Sequence, residues 1–354
     1  MNFNKKKMKQ LLRGLAYGDA IGVTTEFHRG GTEHVYEQFK SQGWPSRAVG
    51  KDKWNLEPGD HTDDTDMAWC IVESAYEKGK FNPEDIAYKF VGWLNTNPPD
   101  IGNTTHNVLS AIRDGTEWYE AGRNVWIENK NNAANGSLMR NGVICGLTDD
   151  LNEAFEMTLL HGMITHYAPL PQLCCAIQTW FIHHFLNGVN KFESNSWMKE
   201  FVKEFEDFLY NCQNKYLVKW FEDVHFASPT SESDYEFALK ILDHSEWDCK
   251  QLNPFTMQIG QSGGYCLITL QIALWAMQWA LIDDIFPTPK RMPKAVFEKN
   301  GLDCLCWIPL IGYDADTYAA TAGPVFTSHF GDLPANKSDN LQINKWIKEL
   351  YNRQ

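Results

Sequence analysis

The sequence is short of positive charge: 32 Lys and Arg stand against 45 Asp and Glu, a formal net charge of -13. Holding a phosphate backbone calls for a basic stripe, so nucleic acid is excluded as a general partner. The nine cysteines include no CxxC pair. An odd number without zinc-site spacing fits free thiols in a reducing, cytoplasmic setting. No export signal is expected, because Arg13 and Asp19 interrupt the apolar stretch that follows the N-terminal lysines. Strand-like alternation is rare, and no flexible interdomain linker, internal repeat or low-complexity tract occurs. With 43% hydrophobic residues over 354 positions, the expectation is an all-α chain forming a single domain over 1–354. The stretch at about 188–255, rich in Trp, Phe, Glu and Lys, reads as a helical elaboration on that body.

The run from Gly263 to Ile282 is uncharged and long enough to cross a bilayer. Gln271 and Gln278 lie on one face of it with nothing to satisfy them in lipid, and no second such run exists, so a buried central helix is expected and no membrane. Elsewhere, apolar residues at three- and four-residue spacing mark helices. Leu11, Leu12, Leu15 and Ile21 belong to the first, where Gly14, Gly18 and Gly22 permit close approach by a neighbouring helix or a ligand. Ala68, Ile71, Val72 and Ala75 mark the second, stopped at Gly79. Others are expected over about 84–94, 103–113, 151–165, 172–187, 198–210, 234–243, 263–282 and 340–352. Loops fall at Asn97–Asp100, Gly136, Ser228–Ser231 and the Pro287, Pro289 and Pro293 cluster.

Asp60, Asp63, Asp64 and Asp66, interleaved with Thr62 and Thr65, crowd in front of the second helix. One or two aspartates favour a helix N-terminus, and an over-supplied cap is one reading of the run. The other is a hard-cation site, since carboxylates and hydroxyls are oxygen ligands suited to Mg²⁺, Mn²⁺ or Ca²⁺. An EF-hand starting at Asp60 fails, because Thr65 and Ile71 stand where Gly and Glu are required. Ligands from elsewhere are needed. Far downstream, Asp314, Asp316 and Thr317 repeat the combination at the start of a helix thinned by Ala315, Ala319 and Ala322.

Taken in order, GLAYGDAIGVTTEF at Gly14–Phe27, HTDDTDM at His61–Met67, PDIGNTT at Pro99–Thr105, NGSLMR at Asn135–Arg140, THYAP at Thr165–Pro169, SGGYCLITLQIALWAM at Ser262–Met277 and DADTYAATAG at Asp314–Gly323 resemble the ADP-ribosylglycohydrolases. The matches run over about residues 11 to 331. The resemblance implies an all-α fold with a two-ion Mg²⁺ centre, Mn²⁺ being an alternative, that cleaves the glycosidic bond joining ADP-ribose to a target. Carried over, the metal ligands are Thr62, Asp63, Asp64, Asp314, Asp316 and Thr317, with Asp66 behind them or capping the helix. Glu26, Asp64 and Asp100 are the implied catalytic carboxylates. Asn135, Gly136 and Ser137 are expected at the diphosphate, and His166, Gly102 and Tyr313 elsewhere on the ligand.

Three positions depart from the family pattern. Tyr313 stands where a glycine is usual, Tyr318 replaces an asparagine, and Pro324 enters a helix whose hydrogen-bond ladder it is expected to interrupt. The implied function is a hydrolase that removes ADP-ribose from an ADP-ribosylated protein, with arginine as the linkage, reversing an ADP-ribosyltransferase or toxin as an immunity factor. The alternative that the three departures raise is a weak or inactive relative that binds ADP-ribose or blocks a transferase.

Overall fold

The computed structural model describes residues 4–28, 35–37, 56–194, 196–226, 231–255, 259, 263–282 and 301–352. Ser228, the proline cluster at 287–293 and Ser262 lie outside the described residues. Among the described residues the chain is all-α, with no β-strand and a single isolated bridge between Ala134 and Tyr265.

In chain order the longer helices begin with α1 (Lys5–Gly22), α2 (Asp63–Lys78), α3 (Pro83–Leu94), α4 (Asn103–Arg113) and α5 (Trp118–Glu128). They continue with α6 (Leu151–Met163), α7 (Pro169–Leu186), α8 (Trp197–Asn211), α9 (Lys215–His225) and α10 (Asp234–Asp243). The last three are α11 (Cys266–Leu281), α12 (Ala315–Phe330) and α13 (Ile343–Asn352). The helices expected from periodicity lie within a few residues of those found. The expected helices do not include α5 and α9. The buried side of α5 is made partly of Ala121 and Gly122, whereas α9 carries the three- and four-residue spacing at Leu217, Trp220, Phe221 and Val224, inside the stretch read as a helical elaboration.

The chain separates into two compact units. The first holds Met67–Ser245 with Tyr265–Leu267 and the N-terminal four residues. Within it α6 packs along α7, α4 lies between α3 and α5, and α8, α9 and α10 build the elaboration against α6 and α7. An aromatic cluster of Phe155, Phe201, Phe205 and Phe208 fixes α8 on α6.

The second unit holds Lys5–Asp66, Glu246–Gly264 and Ile268–Gln354. Its spine is the contact of α1 with α12. A Cβ at Gly14, Gly18 or Gly22 would strike the main chain of Gly323, Ala319 or Ala315 and Asp316 respectively. The glycine ladder is therefore a helix-packing device, one of the two uses its spacing allows. Pro324 lies on this helix, and α12 runs through it to Phe330 without a break. The ladder loses the one bond a proline cannot donate, and the helix continues because the rest of it is clamped along its length to α1.

No helix among the described residues is long and apolar enough to cross a membrane. The glutamines of α11 are satisfied by protein: Gln271 Nε2 donates to the Glu246 carbonyl, and Gln278 bonds both the Trp247 carbonyl and the Cys249 amide. All nine cysteines are free thiols.

Candidate functional site

Within the second unit, the end of α1, the start of α2 and the start of α12 supply a carboxylate cluster. Oxygens of Glu26, Asp314 and Asp316 lie within 4.8 Å of one another, the arrangement a cation-binding site needs. Burial, and after it the negative charges of Glu26, Asp64, Asp314 and Asp19, push the Asp316 carboxyl well above the usual carboxylate range. Four carboxylates, three of them from sequence-distant positions, thus act on Asp316. Crowding of this kind is unfavourable unless protons or cations offset it, and the all-oxygen donor set suits a hard divalent cation.

Asp19 explains how the α2 corner is held. Its carboxylate, fully buried on α1, accepts from the Thr62 amide (3.1 Å), the Thr65 amide (3.1 Å) and the Thr65 hydroxyl (2.6 Å). The Thr62 hydroxyl lies 3.0 Å from Asp19 and 3.2 Å from Asp64 Oδ2, so its single proton is shared between two carboxylates. These bonds satisfy amides at the beginning of α2 that the helix itself leaves open. The cap is therefore Asp19, from a different helix, which leaves the local acidic run for another purpose. Asp63 and Asp64 are buried in the first turn of α2. Asp66 pairs with His61, whose Nε2 lies 3.2 Å from its carboxylate. His61 is itself fixed edge-on against Trp346. Thr317 is buried, and its amide donates to Asp316 Oδ1 at 2.9 Å.

Backbone strain brackets the cluster. Phe27 and Tyr313 have φ of 60° and 58°, in the left-handed region. Two bonds join them into one backbone clasp: the Phe27 amide donates to the Tyr313 carbonyl (2.5 Å), and the Tyr313 amide to the His28 carbonyl (3.0 Å). Tyr313 therefore occupies a conformation that favours glycine. Tyr318 spends its hydroxyl on the Gly263 carbonyl (3.0 Å) and is buried among core residues.

The first unit holds the remaining sequence-predicted residues. Asn135, Gly136 and Ser137 form a turn, the Asn135 carbonyl accepting from the Leu138 and Met139 amides. A Cβ on Gly136 would collide with the His166 ring and crowd the Thr105 hydroxyl, so only glycine lets these three come together. Beneath the turn, Arg140 is fully buried. Its guanidinium donates to the Gly136 carbonyl (3.0 Å), the His161 carbonyl (3.2 Å) and the Thr165 hydroxyl (2.7 Å).

Because Arg140 can only donate, the Thr165 hydroxyl accepts from it, and the same hydroxyl lies 2.8 Å from His166 Nδ1. Burial first, and the Arg140 charge second, pull the His166 pKa down to about 3, so the ring is neutral. Asp100 is half-buried in the loop before α4. The N-cap of that helix is Gly102, which is exposed, with open space where a side chain would begin. The elements so far bring Thr62, Asp64, Asp314, Asp316 and Glu26 together in one unit, and Gly136 and His166 in the other.

Two residues with large structural roles, Asp19 and Arg140, are absent from the sequence-based site. Each lies inside a motif, and each is a lone charge among small and apolar neighbours, GLAYGDAIG and NGSLMR. That placement is the signal of a buried, hydrogen-bonded charge.

The ADP-ribosylglycohydrolase family model matches residues 3–354. The ADP-ribosylarginine hydrolase Tri1 of Pseudomonas putida (strain GB-1) is 25% identical over 362 residues, covering 98% of this chain and 78% of that protein. Rhodospirillum rubrum ADP-ribosyl-[dinitrogen reductase] glycohydrolase is 30% identical over 181 residues, covering 49% of this chain and 56% of its own length. A solved structure titled ADP-ribosylglycohydrolase-related protein complex shares the fold, with a TM-score of 0.63 at 21% identity, covering 99% of this chain and 97% of that one.

Proposed function

Since the chain belongs to the ADP-ribosylglycohydrolase family and is an enzyme of that type, we propose that it is a Mg²⁺-dependent hydrolase releasing ADP-ribose from modified arginine on a protein. The observation that carries the reading is the mutual proximity of Glu26, Asp314 and Asp316, with Asp64 and Asp19 adding their charge to the same place. The arginine linkage draws on the likeness to Tri1 over nearly the whole chain. One domain over 1–354 is proposed from the span of the family match.

In this reading Thr62, Asp63, Asp64, Asp314, Asp316 and Thr317 hold two divalent ions, for which their oxygen-only donors are suited. Bound there, the ions would offset the carboxylate repulsion and polarise a water or a ribose hydroxyl. Cleavage of the bond from ribose C1″ to the guanidine nitrogen builds positive charge on the sugar and asks for a proton at the leaving nitrogen. Glu26, at the edge of the cluster, is assigned to water or that proton, and Asp64 orients the same group while ligating. Asp100 is assigned to the guanidine. The Asn135–Ser137 turn offers amides to the diphosphate, and neutral His166 donates from Nε2–H to a ligand oxygen. Gly102 leaves room for the ligand, and Tyr313 borders it.

Tyr313, Tyr318 and Pro324 favour the alternative of a silent binder only weakly. All six ligand positions keep their residues, and α12 remains whole. The biological role proposed is reversal of an ADP-ribosyltransferase or toxin as an immunity factor in the cytoplasm, a setting with which the nine free cysteines agree. The test is release of ADP-ribose from an ADP-ribosyl-arginine protein with Mg²⁺ and with EDTA. Release confined to Mg²⁺ supports the reading; binding without turnover in both would replace it with the binder.

A further inference from the structure

We propose that the face formed by α8 and α10 is a self-association surface, and that its occupant is α8 of a second copy of this chain, packed antiparallel. Between these helices lies a groove of about 510 Å³ whose floor is Met198, Val202, Leu239 and Leu242. Such a shape accepts a helix laid along it.

The occupant follows from the order of charges. On the outward side of α8, Lys199 and Lys203 come first, followed by Glu206 and Asp207. A helix charged in this order is complementary to itself when reversed. In an antiparallel pair, Lys199 and Lys203 of one copy meet Glu206 and Asp207 of the other, twice, around a twofold axis near Val202 and Lys203. This is the self-complementarity that an isologous contact requires. A parallel partner of the same sequence would set lysine against lysine.

The chain's overall charge points to the same place. At a net charge of -13 two copies repel. The groove, lined by Lys199, Lys203 and Lys240 with Glu206, Asp207 and Asp243, is locally neutral. Lys240 is already engaged by Glu232 at 2.5 Å, whereas Lys199 and Lys203 stand exposed or nearly so on the rim with no internal partner among the described residues. Tyr210, 66% exposed at the end of the same helix face, extends the apolar contact.

The experiment is sedimentation equilibrium on the full chain and on two charge-reversed variants, K199E/K203E and E206K/D207K, at up to about 100 μM, where even a weak standard interface is populated. The wild type is expected at twice the 40.6 kDa chain mass. Each variant alone is expected at the single mass with unchanged helical content by circular dichroism, and an equimolar mixture of the two is expected to return to the doubled mass. A wild type that stays at 40.6 kDa, or a doubled mass that survives both reversals, overturns the proposal. So does a mixture that remains monomeric, because it would mean that the lysines and acids do not face one another. In the first case the groove would be open to a different protein.

Discussion

The Thr65 hydroxyl donates to the buried carboxylate of Asp19 across 2.6 Å, joining the start of α2 to the last turn of α1. With Thr62 bonded to the same carboxylate, the corner that carries Asp63 and Asp64 is positioned from outside its own helix. Both Asp19 oxygens accept, so an amide in its place must turn a donor toward a donor. Asp19→Asn is therefore expected to cost about 2–4 kcal/mol, the penalty of an unsatisfied buried group plus a lost charge-assisted bond. Urea denaturation in EDTA measures this. Mg²⁺ affinity by calorimetry should fall as well, although Asp19 is not among the proposed ligands.

Asp316 yields a prediction whose sign depends on the metal. Without cations its carboxylate is opposed by Glu26, Asp64, Asp314 and Asp19, so Asp316→Asn is expected to raise the stability of the metal-free protein by roughly 1 kcal/mol. The wild type, but not the variant, should then gain stability with Mg²⁺, by about 2.7 kcal/mol at a hundredfold excess over Kd. Thermal melts of both proteins in EDTA and in Mg²⁺ read the four states. A variant less stable than wild type in EDTA would show that the cluster is not electrostatically strained.

How much was legible in the sequence depended on whether the cause was local. Most helices were, because elements such as α4 and α10 carry a periodic apolar stripe over their whole length. The glycine ladder was half legible: its spacing indicated close approach, but only the meeting with α12 identifies what approaches. The double Asp/Thr pattern named candidates for a cation site, and the carboxylate cluster of the second unit contains three of them with Glu26. What the sequence hid was partnership at a distance. Nothing local tells that Asp19 caps a helix more than forty residues away, or that Arg140 lies under the Asn135–Ser137 turn and holds the hydroxyl that meets His166. Continuity of α12 through Pro324 was likewise hidden, since tertiary packing against α1 overrides the local rule.

Tyr313 trades backbone strain for a side chain. A non-glycine residue at φ 58° carries a steric cost of about 1–2 kcal/mol, part of which glycine would give back through the greater freedom of its unfolded state. Tyr313→Gly is therefore expected to stabilise the protein by up to about 1 kcal/mol. The bonds to Phe27 and His28 use only main-chain atoms and should persist. If the ring borders the ligand as proposed, the same variant should raise KM for the ADP-ribosylated substrate. A rise in both stability and KM would identify Tyr313 as retained for binding.

His166 sets a pH dependence that needs no metal to observe. Its pKa is about 3 in the folded chain against 6.5 unfolded, through burial and the neighbouring Arg140 charge. Between those values the unfolded state binds a proton that the native state refuses, so stability rises with pH and is lost on acidification. The slope from this group is about 1.4 kcal/mol per pH unit, beginning as pH falls through 6.5. His161, fully buried and also held well below its ordinary value, adds to the loss in the same direction. His166→Gln removes one titrating group. Denaturation of the EDTA-treated protein at successive pH values below 6.5 should therefore give a shallower slope for the variant than for the wild type. Equal slopes would mean that His166 accepts a proton in the folded state, against its burial and the neighbouring Arg140 charge.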